Sequence, residues 1–253
     1  MAGTVYLVGA GPGSADLLTL KAARLLAESD LVLHDALVTD EVLALAPRAR
    51  KLAVGKRAGR PSTDQAVINR LLVRAARQHA VVVRLKGGDP MLFGRAQEEI
   101  DALRAAGIAF EIVPGISAGF AAAAEIAQSL THRRLSRSVA FVTPALARGA
   151  TPDESWADAA AAADTVVVYM GKAEAARIRD ALLARGVPAR RPAVLVEGAS
   201  RGGAVAGGAL GSLEALAGHA GDGPALLLIG EAFARAAADH AATADEGDAA
   251  RSA

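Results

Sequence analysis

One stretch of the chain reads Val83-Arg-Leu-Lys-Gly-Gly-Asp-Pro-Met-Leu-Phe-Gly-Arg-Ala-Gln-Glu-Glu99. A strand-like run ends here in two glycines, Asp and Pro follow, and a second Gly-Arg pair opens a segment with helical spacing. Adjacent glycines let a backbone pass close to a flat ligand, and packing alone poorly explains so many permissive and charged residues. The stretch therefore predicts a strand, a ligand-binding loop and a helix.

The same alternation of strand and helix extends over nearly the whole chain. Short β-branched and leucine runs bounded by turn residues predict nine buried strands. They are Val5–Gly9, Leu31–His34, Lys51–Val54, Val81–Leu85, Phe110–Val113, Val139–Thr143, Thr165–Met170, Ala193–Glu197 and Ala225–Ile229. Segments with helical spacing lie between them, so we expect an α/β fold with mainly parallel sheet and ligands bound beyond the carboxyl ends of the strands.

A Pro-Gly turn near the middle of the chain, at residues 113–119, has five predicted strands before it and four after it. We take it as the junction between an N-terminal α/β domain (1–114) and a C-terminal α/β domain (115–235). Beyond Phe233 the chain is rich in Ala, Asp and Glu and lacks apolar periodicity. Residues 236–253 are therefore predicted to be a disordered tail.

Composition excludes several classes of protein and site. Lys and Arg total 28 against 27 Asp and Glu, and this balance argues against a nucleic-acid binder that works by overall basicity. The absence of cysteine excludes disulfides, thiolate metal ligands, iron–sulfur clusters and cysteine nucleophiles. No apolar stretch reaches the ~18 residues that span a membrane, and the chain begins with a strand-like run. We therefore expect a cytoplasmic protein.

The first predicted strand runs into Gly9-Ala-Gly-Pro-Gly13-Ser14. Glycines there allow a sharp turn and the close approach of a bound molecule, as in a Rossmann dinucleotide-binding turn. However, Pro12 removes a backbone donor, and Ser14 stands where the third glycine of that motif belongs. On this motif alone, a tight turn without a ligand and an NAD(P)-binding oxidoreductase both stay open.

Charged residues follow the next three predicted strands. Asp35 is suited to accept a proton or a hydroxyl hydrogen bond, although an ordinary surface carboxylate is an equal alternative. Lys56 and Arg57 stand between glycines, a pattern suited to holding carboxylates, with a solvated basic turn as the alternative. Asp89 is suited to accept hydrogen bonds from a cofactor amine or hydroxyl.

Together these motifs resemble the uroporphyrinogen-III C-methyltransferases of the tetrapyrrole (precorrin) methylase family. The resemblance is carried, in the family's order and spacing, by GAGPG at 9–13, GKRAG at 55–59, RLKGGDP at 84–90, FGR at 93–95, VPGIS at 113–117 and LTHR at 130–133. It covers roughly residues 4 to 235. Other precorrin methyltransferases and diphthine synthase share the first motif and the fold, but they match RLKGGDP and FGR less well.

The resemblance implies a two-domain α/β class III methyltransferase, usually a homodimer, with the active site in the interdomain cleft. It implies S-adenosyl-L-methionine as the methyl donor, S-adenosyl-L-homocysteine as the spent cofactor, and no metal. Carried over by motif, the cofactor-binding residues are Pro12, Gly87, Gly88, Asp89, Leu92, Ser117, Ala118, Met170 and Ala199.

The resemblance also assigns catalytic residues. Asp35 matches the family's proposed proton acceptor, Lys56 its proposed proton donor, and Arg95 with Glu98 a pair implicated at the substrate. These roles suit the chemistry, because an electron-rich pyrrole carbon attacks the sulfonium methyl group and a base then takes up a proton.

Basic residues are assigned to the substrate, which carries eight carboxylates. The substrate-binding assignment comprises Arg57, Lys86, His132 and Arg133, with Arg84, Arg134 and Arg137 as further candidates. For His132 and Arg133, a solvated loop is the alternative.

The chain departs from the family mainly on the substrate side. Ala36 stands where the family usually has an arginine, and residues 124–130 lack the usual tyrosine and Gly-Ile-Pro turn. The usual Thr-Gly-His is Thr143-Pro-Ala, and residues 198–204 replace an Asn-Ala-Thr motif. Most cofactor positions are kept, so the resemblance is weaker for the substrate than for the methyl donor.

The sequence therefore predicts methylation of uroporphyrinogen III at C2 and C7, giving precorrin-2 through precorrin-1. Methylation of a later precorrin and a catalytically weakened cofactor-binding paralogue are the alternatives within the family, and an NAD(P) oxidoreductase is the alternative outside it. The expected partners are the tetrapyrrole and a second copy of the chain, with neither nucleic acid nor membrane. Sirohaem, cobalamin and haem d1 synthesis are all open as destinations of the product.

Overall fold

The computed structural model describes residues 2–55, 64–145 and 153–241. Contacts between Cα atoms divide the chain into two compact units, Met1–Ala118 and Gly119–Ala253. The division falls within the junction predicted at residues 113–119. Each unit is built around a sheet of its own.

The first unit contains a five-stranded, fully parallel sheet. Its strands are β1 (Thr4–Gly9), β2 (Leu31–His34), β3 (Arg50–Ala53), β4 (Val81–Lys86) and β5 (Phe110–Val113), in the order β3-β2-β4-β1-β5. The central strand β4 is buried along almost its whole length, which suits its run of valines. Because all five strands run in one direction, their carboxyl ends lie at one edge of the sheet.

Helices cover both faces of this sheet. They are α1 (Leu20–Glu28), α2 (Asp40–Ala44), α3 (Gln65–Ala76) and α4 (Ala96–Ala105), with a 3₁₀ turn at Ala15–Leu17. Alternation along the strands separates two cores: Leu7 and Leu33 pack with α3 and α4, whereas Val8 and Val32 pack with α1 and α2. Burial on both faces explains why β2 and β4 read as apolar runs rather than as alternating ones.

The second unit contains a mixed five-stranded sheet. Its strands are β6 (Val139–Val142), β7 (Thr165–Tyr169), β8 (Pro192–Glu197), β9 (Val205–Ala209) and β10 (Ala225–Gly230), in the order β6-β7-β10-β8-β9. Within it only β6 and β7 pair in parallel; β10 runs antiparallel to β7 and β8, and β9 antiparallel to β8. The prediction of mainly parallel sheet is therefore right for the first unit and wrong for the second.

The edge strand β9 was not predicted, because its sequence, Val-Ala-Gly-Gly-Ala, has few of the residues that favour strands. The close approach of a helix explains one of its glycines. A Cβ on Gly207 would lie 2.3 Å from the carbonyl oxygen of Ala237.

The remaining helices are α5 (Ala118–Glu125), α6 (Ser155–Ala162), α7 (Ala175–Ala184), α8 (Leu213–Gly218) and α9 (Ala234–Asp239), with 3₁₀ turns at Lys172–Glu174, Leu210–Ser212 and Glu231–Phe233. The last helix buries Ala236 and Ala237, and the carbonyl of His240 accepts a 2.7 Å hydrogen bond from the backbone nitrogen of Gly207. The prediction of a disordered tail from residue 236 is thus wrong for 236–241, because small alanines pack closely without a strong apolar pattern. No helix of the described ranges is long and apolar enough to cross a lipid bilayer.

Candidate active site

The candidate residues of the first unit follow the carboxyl ends of its parallel strands. Pro12 follows β1, Asp35 follows β2, Gly87 to Asp89 follow β4, and Ser117 follows β5. The sheet therefore gathers residues that are far apart in sequence along one edge, as expected for a parallel sheet. The predicted catalytic Lys56 and substrate-binding Arg57 follow β3 and lie outside the described residues.

Three glycine segments pack backbone against backbone at this edge. Gly11 and Gly88 form a bridge in which the nitrogen of Gly88 donates to the oxygen of Gly11 at 2.8 Å and the reverse bond measures 3.2 Å. A Cβ on Gly9 would lie 2.6 Å from the Cα of Gly115, and a Cβ on Gly115 would lie 2.4 Å from the oxygen of Gly88. Much of the glycine pattern therefore serves this close backbone packing.

Asp89 joins two of these segments. Its Oδ1 accepts a 2.7 Å hydrogen bond from the nitrogen of Met91, and its Oδ2 accepts a 2.9 Å bond from the nitrogen of Gly115. The side chain predicted to bind cofactor thus also shapes the loop. Each carboxylate oxygen has a further lone pair, so the two bonds leave capacity for a ligand donor.

Several predicted cofactor residues come together around the Gly-Gly step. A Cβ on Gly88 would lie 3.8 Å from the Cα of Ser117 and 3.9 Å from the nitrogen of Ala118. The loop turns back at Leu92, whose nitrogen donates to the carbonyl of Asp89 at 3.3 Å. Gly88 itself has φ +68°, a left-handed conformation that favours glycine.

Behind this edge lies a buried ion cluster, which comprises Asp35, Gln65, Arg84, Lys86 and Glu99. The Oε1 atom of Glu99 accepts hydrogen bonds from Gln65 Nε2 at 3.1 Å, Arg84 Nε at 3.1 Å and Lys86 Nζ at 3.0 Å. Arg84 Nη2 donates at 2.5 Å to Oδ1 of Asp35. Glu99 Oε2 has no hydrogen-bond partner among the described residues.

The cluster changes the interpretation of two predicted substrate ligands. Arg84 and Lys86 are only 2% and 3% exposed, so neither is a surface cation that meets the substrate's carboxylates. Burial lowers the pKa of the Lys86 ammonium, and the charge of Arg84 lowers it further, whereas Glu99 and Asp35 oppose this shift. Their positions in β4 explain this burial. Every second residue of a strand points to the same face of the sheet, and helices cover that face here.

Arg95 and Glu98 form an exposed pair at the start of α4. The Arg95 guanidinium donates Nε to Glu98 Oε1 at 2.7 Å and Nη2 to Oε2 at 2.8 Å. The hydrogen bonds from Arg95 to Glu98 raise the pKa of the arginine. The structure thus brings together the two residues predicted to act at the substrate.

The backbone before this pair is strained. Phe93 and Arg95 have φ 53° and 54°, an uncommon conformation for residues with a side chain. Gly94 lies between them, and a Cβ on it would be 2.5 Å from the oxygen of Pro90. Strain of this kind is often concentrated at functional sites, where the surrounding structure holds it in place.

The candidates in the second unit form two groups. Met170 follows β7 with φ 54° and 56% exposure, and the buried Ala199 follows β8. Both strands run antiparallel to β10, so these two residues lie at the same edge of the sheet. His132 and Arg133 lie in an exposed turn closed by backbone bonds between His132 and Ser136.

Sequence reasoning missed the central acid of the ion cluster. Glu99 lies on the face of α4 that also buries Ala96, Ile100 and Leu103, and this helical spacing was visible in the sequence. Two cations at alternate positions of an apolar strand are a second signal, because buried charges require partners. Together these patterns predict an acid opposite Arg84 and Lys86.

Comparisons with known proteins place these observations in a family. The family model of the tetrapyrrole (corrin/porphyrin) methylases matches residues 4–213. The uroporphyrinogen-III C-methyltransferase of Pseudomonas aeruginosa is 47% identical over 91% of this chain and 94% of its own length. The siroheme synthase of Pseudomonas paraeruginosa is also 47% identical, but this chain spans only about half of its length.

A solved structure agrees with this result. The uroporphyrin-III C-methyl transferase of Thermus thermophilus, complexed with S-adenyl homocysteine, superimposes with a TM-score of 0.80 and 43% identity, over 91% of this chain and 99% of that protein. The predicted tetrapyrrole methylase fold is thus confirmed, whereas the predicted roles of individual residues stay predictions. By its motifs, its fold and its match over residues 4–213, the chain belongs to the tetrapyrrole (corrin/porphyrin) methylases.

Proposed function

We propose that this chain transfers methyl groups from S-adenosyl-L-methionine to C2 and C7 of uroporphyrinogen III, giving precorrin-2 through precorrin-1. The observation that carries the proposal is the 47% identity to a uroporphyrinogen-III C-methyltransferase over 94% of that enzyme's length. The Thermus relative was solved with S-adenyl homocysteine, the product left after methyl transfer, and this supports the same donor here.

The residues around the Gly-Gly step fit a methyl donor. Gly87 and Gly88 offer backbone without side chains, and Ser117 and Ala118 lie beside them. Asp89 keeps lone pairs for a hydroxyl or amine donor. When bound, the donor supplies an electrophilic sulfonium methyl group. Pro12 and Leu92 of the first unit, and Met170 and Ala199 of the second, are proposed as further contacts.

Asp35 is the proposed proton acceptor. Its carboxylate is 29% exposed, and its Oδ1 is held by the buried Arg84. This leaves Oδ2 as the atom proposed to take the proton that the ring system loses, as its conjugation is restored, after the methylated pyrrole carbon has become quaternary. Arg95 and Glu98 are proposed to act at the substrate, and Lys56 is proposed as the proton donor.

The proposed substrate is a polyanion, and exposed basic residues suit its carboxylates. His132 and Arg133 keep this proposed role, because both are exposed. Arg57 keeps it on the family resemblance alone. Lys86 is instead assigned to the buried ion cluster, for the reasons of burial and pairing given above.

The experiment that tests the proposal is an anaerobic incubation of the chain with uroporphyrinogen III and methyl-¹³C-labelled S-adenosyl-L-methionine. Mass spectrometry and ¹³C NMR then follow the tetrapyrrole. We expect two labelled methyl groups, at C2 and C7. In a parallel incubation with added precorrin-2, methylation of precorrin-2 but not of uroporphyrinogen III would favour a later precorrin as substrate. Binding of S-adenosyl-L-homocysteine without any methyl transfer would favour an inactive paralogue. Reduction of a substrate by NAD(P)H would favour the oxidoreductase alternative.

The chain is also proposed to act as a homodimer in the cytoplasm, without nucleic-acid or membrane partners. The family resemblance supports the dimer, and sedimentation analysis of the purified protein tests it. Relatives named siroheme synthase support sirohaem as one destination of the product.

A further inference from the structure

The ion cluster behind Asp35 contains charged groups that the proposed reaction does not use directly. We propose that Arg84 and Glu99 are positioning residues that hold the Asp35 carboxylate in place for proton transfer. This inference rests on the proposed function, because it takes Asp35 as the proton acceptor. It gives Arg84 a different role from the substrate ligand that the sequence suggested.

Arg84 is fixed by three hydrogen bonds. Its Nε donates to Glu99 Oε1 at 3.1 Å, its Nη1 to the carbonyl of Leu85 at 3.1 Å, and its Nη2 to Asp35 Oδ1 at 2.5 Å. A guanidinium is planar and presents its donors in a rigid fork. Fixing Nε and Nη1 therefore also fixes the direction from which Nη2 meets Asp35.

Glu99 is the anchor of this arrangement. It is fully buried on α4, and its Oε1 accepts from Arg84 and Lys86 on β4 and from Gln65 on α3. Two cations that lie close together in a covered sheet repel each other unless an acid lies between them. Glu99 therefore keeps both cations in place and ties Arg84 to two helices.

The cluster reaches solvent at one charged group. Arg84, Lys86 and Glu99 are between 0% and 3% exposed, whereas the side chain of Asp35 is 29% exposed. The four charges sum to zero.

Buried ion pairs are often no more stabilising than apolar side chains of similar size, so stability alone does not explain four charged groups here. Fixing the one carboxylate that faces solvent is a role that apolar residues cannot fill.

A double-mutant cycle tests the inference. Arg84→Lys keeps the positive charge and loses the fork, so we expect kcat for methyl transfer to fall about 10- to 100-fold with little change in KM. Affinity for S-adenosyl-L-homocysteine should not change. In an Asp35→Asn background the same substitution should cost less than about 2-fold, because the group through which Arg84 acts is altered.

Two further variants accompany the double-mutant cycle, one as a control and one as a replacement for Arg84→Lys. Arg104→Lys is the matched control, because Arg104 is 63% exposed and pairs with Asp101 on the surface of α4; it should leave kcat unchanged. Glu99→Gln removes the anchoring charge with little change in shape and should follow the pattern of Arg84→Lys. If Arg84→Lys does not fold, Glu99→Gln takes its place in the double-mutant cycle with Asp35→Asn. Equal losses in the wild-type and Asp35→Asn backgrounds would overturn the inference.

A crystallographic comparison of the wild type with Arg84→Lys or Glu99→Gln tests the same inference without methyl transfer. We expect the Asp35 carboxylate to shift by about 1 Å or to become disordered, a displacement large enough to impair catalysis. An unmoved, ordered carboxylate would contradict the positioning role. If the wild type transfers no methyl group, the proposed function fails, while this displacement still decides whether Arg84 and Glu99 position Asp35.

Discussion

Glu98 and Glu99 are neighbours on α4, yet they lie in opposite environments. Glu98 is 49% exposed and pairs with a single exposed arginine, Arg95. Glu99 is fully buried, and one of its oxygens accepts hydrogen bonds from three side chains. Successive residues of a helix point about 100° apart, so a single step along α4 moves a carboxylate from solvent into the core.

Charge in this unit therefore has two separate uses. The exposed pair is open to solvent and to a substrate, and such pairs contribute little to folding stability. Arg84, Lys86 and Glu99 of the buried cluster are shielded from solvent, so loss of one of them leaves the others without compensation. We therefore expect substitutions at Glu99 to lower folding stability as well as turnover, and substitutions at the Arg95–Glu98 pair to lower turnover with little effect on stability.

The largest expected effect is on folding stability. Glu99→Ala should lower the free energy of unfolding by about 3–5 kcal/mol, because Arg84 and Lys86 lose their shared buried partner. Glu98→Ala is the matched control on the same helix and should cost no more than about 1 kcal/mol. Urea denaturation of both variants measures the contrast, and equal losses would show that burial does not separate the two carboxylates.

Turnover should depend on the exposed pair, although the stability of the fold does not. Arg95→Ala should lower kcat about 100-fold, as expected when a preorganised donor is removed from a site of developing charge. Binding of S-adenosyl-L-homocysteine, measured by calorimetry, should stay near that of the wild type.

Asp89→Ala should instead weaken the binding of S-adenosyl-L-homocysteine, because it removes a predicted ligand and releases Gly115 from the loop. Wild-type binding and turnover in both variants would contradict the assignment of the site.

The pH dependence of stability should report the buried lysine. Burial holds the folded-state pKa of Lys86 below its ordinary value of 10.5. Between the folded-state pKa and 10.5 the unfolded chain binds more protons at Lys86 than the folded chain does. The free energy of unfolding therefore increases as pH rises through that range. The stability of the wild type relative to Lys86→Met should therefore increase toward pH 10.5. A relative stability that falls with pH would contradict this.

The smallest expected effect concerns salt. A double-mutant cycle on Arg95 and Glu98 should give a coupling of roughly 0.5 kcal/mol at low ionic strength, as for other exposed pairs. It should approach zero at ~1 M salt, where the Debye length is about 3 Å. Coupling between Arg84 and Glu99 should change little, because solvent ions do not reach it. Equal salt dependence of both couplings would contradict their different burial.

The sequence predicted the first unit well for a physical reason. Its inner strands β2 and β4 are buried on both faces, so apolar runs such as Val81 to Leu85 signal strands directly. In the second unit the same apolar runs do not reveal direction, so β10 was predicted as a strand but its antiparallel pairing was not. The edge strand β9 and helix α9 were missed because glycine and alanine pack there without strong apolar patterning.

For the site, sequence motifs identified residues but not their surroundings. The motif that contains Arg84 and Lys86 gave both cations a substrate role, because a motif does not show which face of a strand is covered. Glu99 was overlooked beside Glu98, although its spacing with Ile100 and Leu103 places it on the buried face. Burial is set by tertiary packing, and tertiary packing is the part that local patterns report least.

The most direct test of the account compares the wild type with Asp35→Asn in parallel anaerobic time courses with uroporphyrinogen III and excess S-adenosyl-L-methionine. The mass of the tetrapyrrole is followed over time. We expect the wild type to add two methyl groups and Asp35→Asn to form precorrin-2 at least about 100-fold more slowly, as expected when a general base is lost. Equal rates for the two proteins, or no methyl gain by the wild type, would contradict the account.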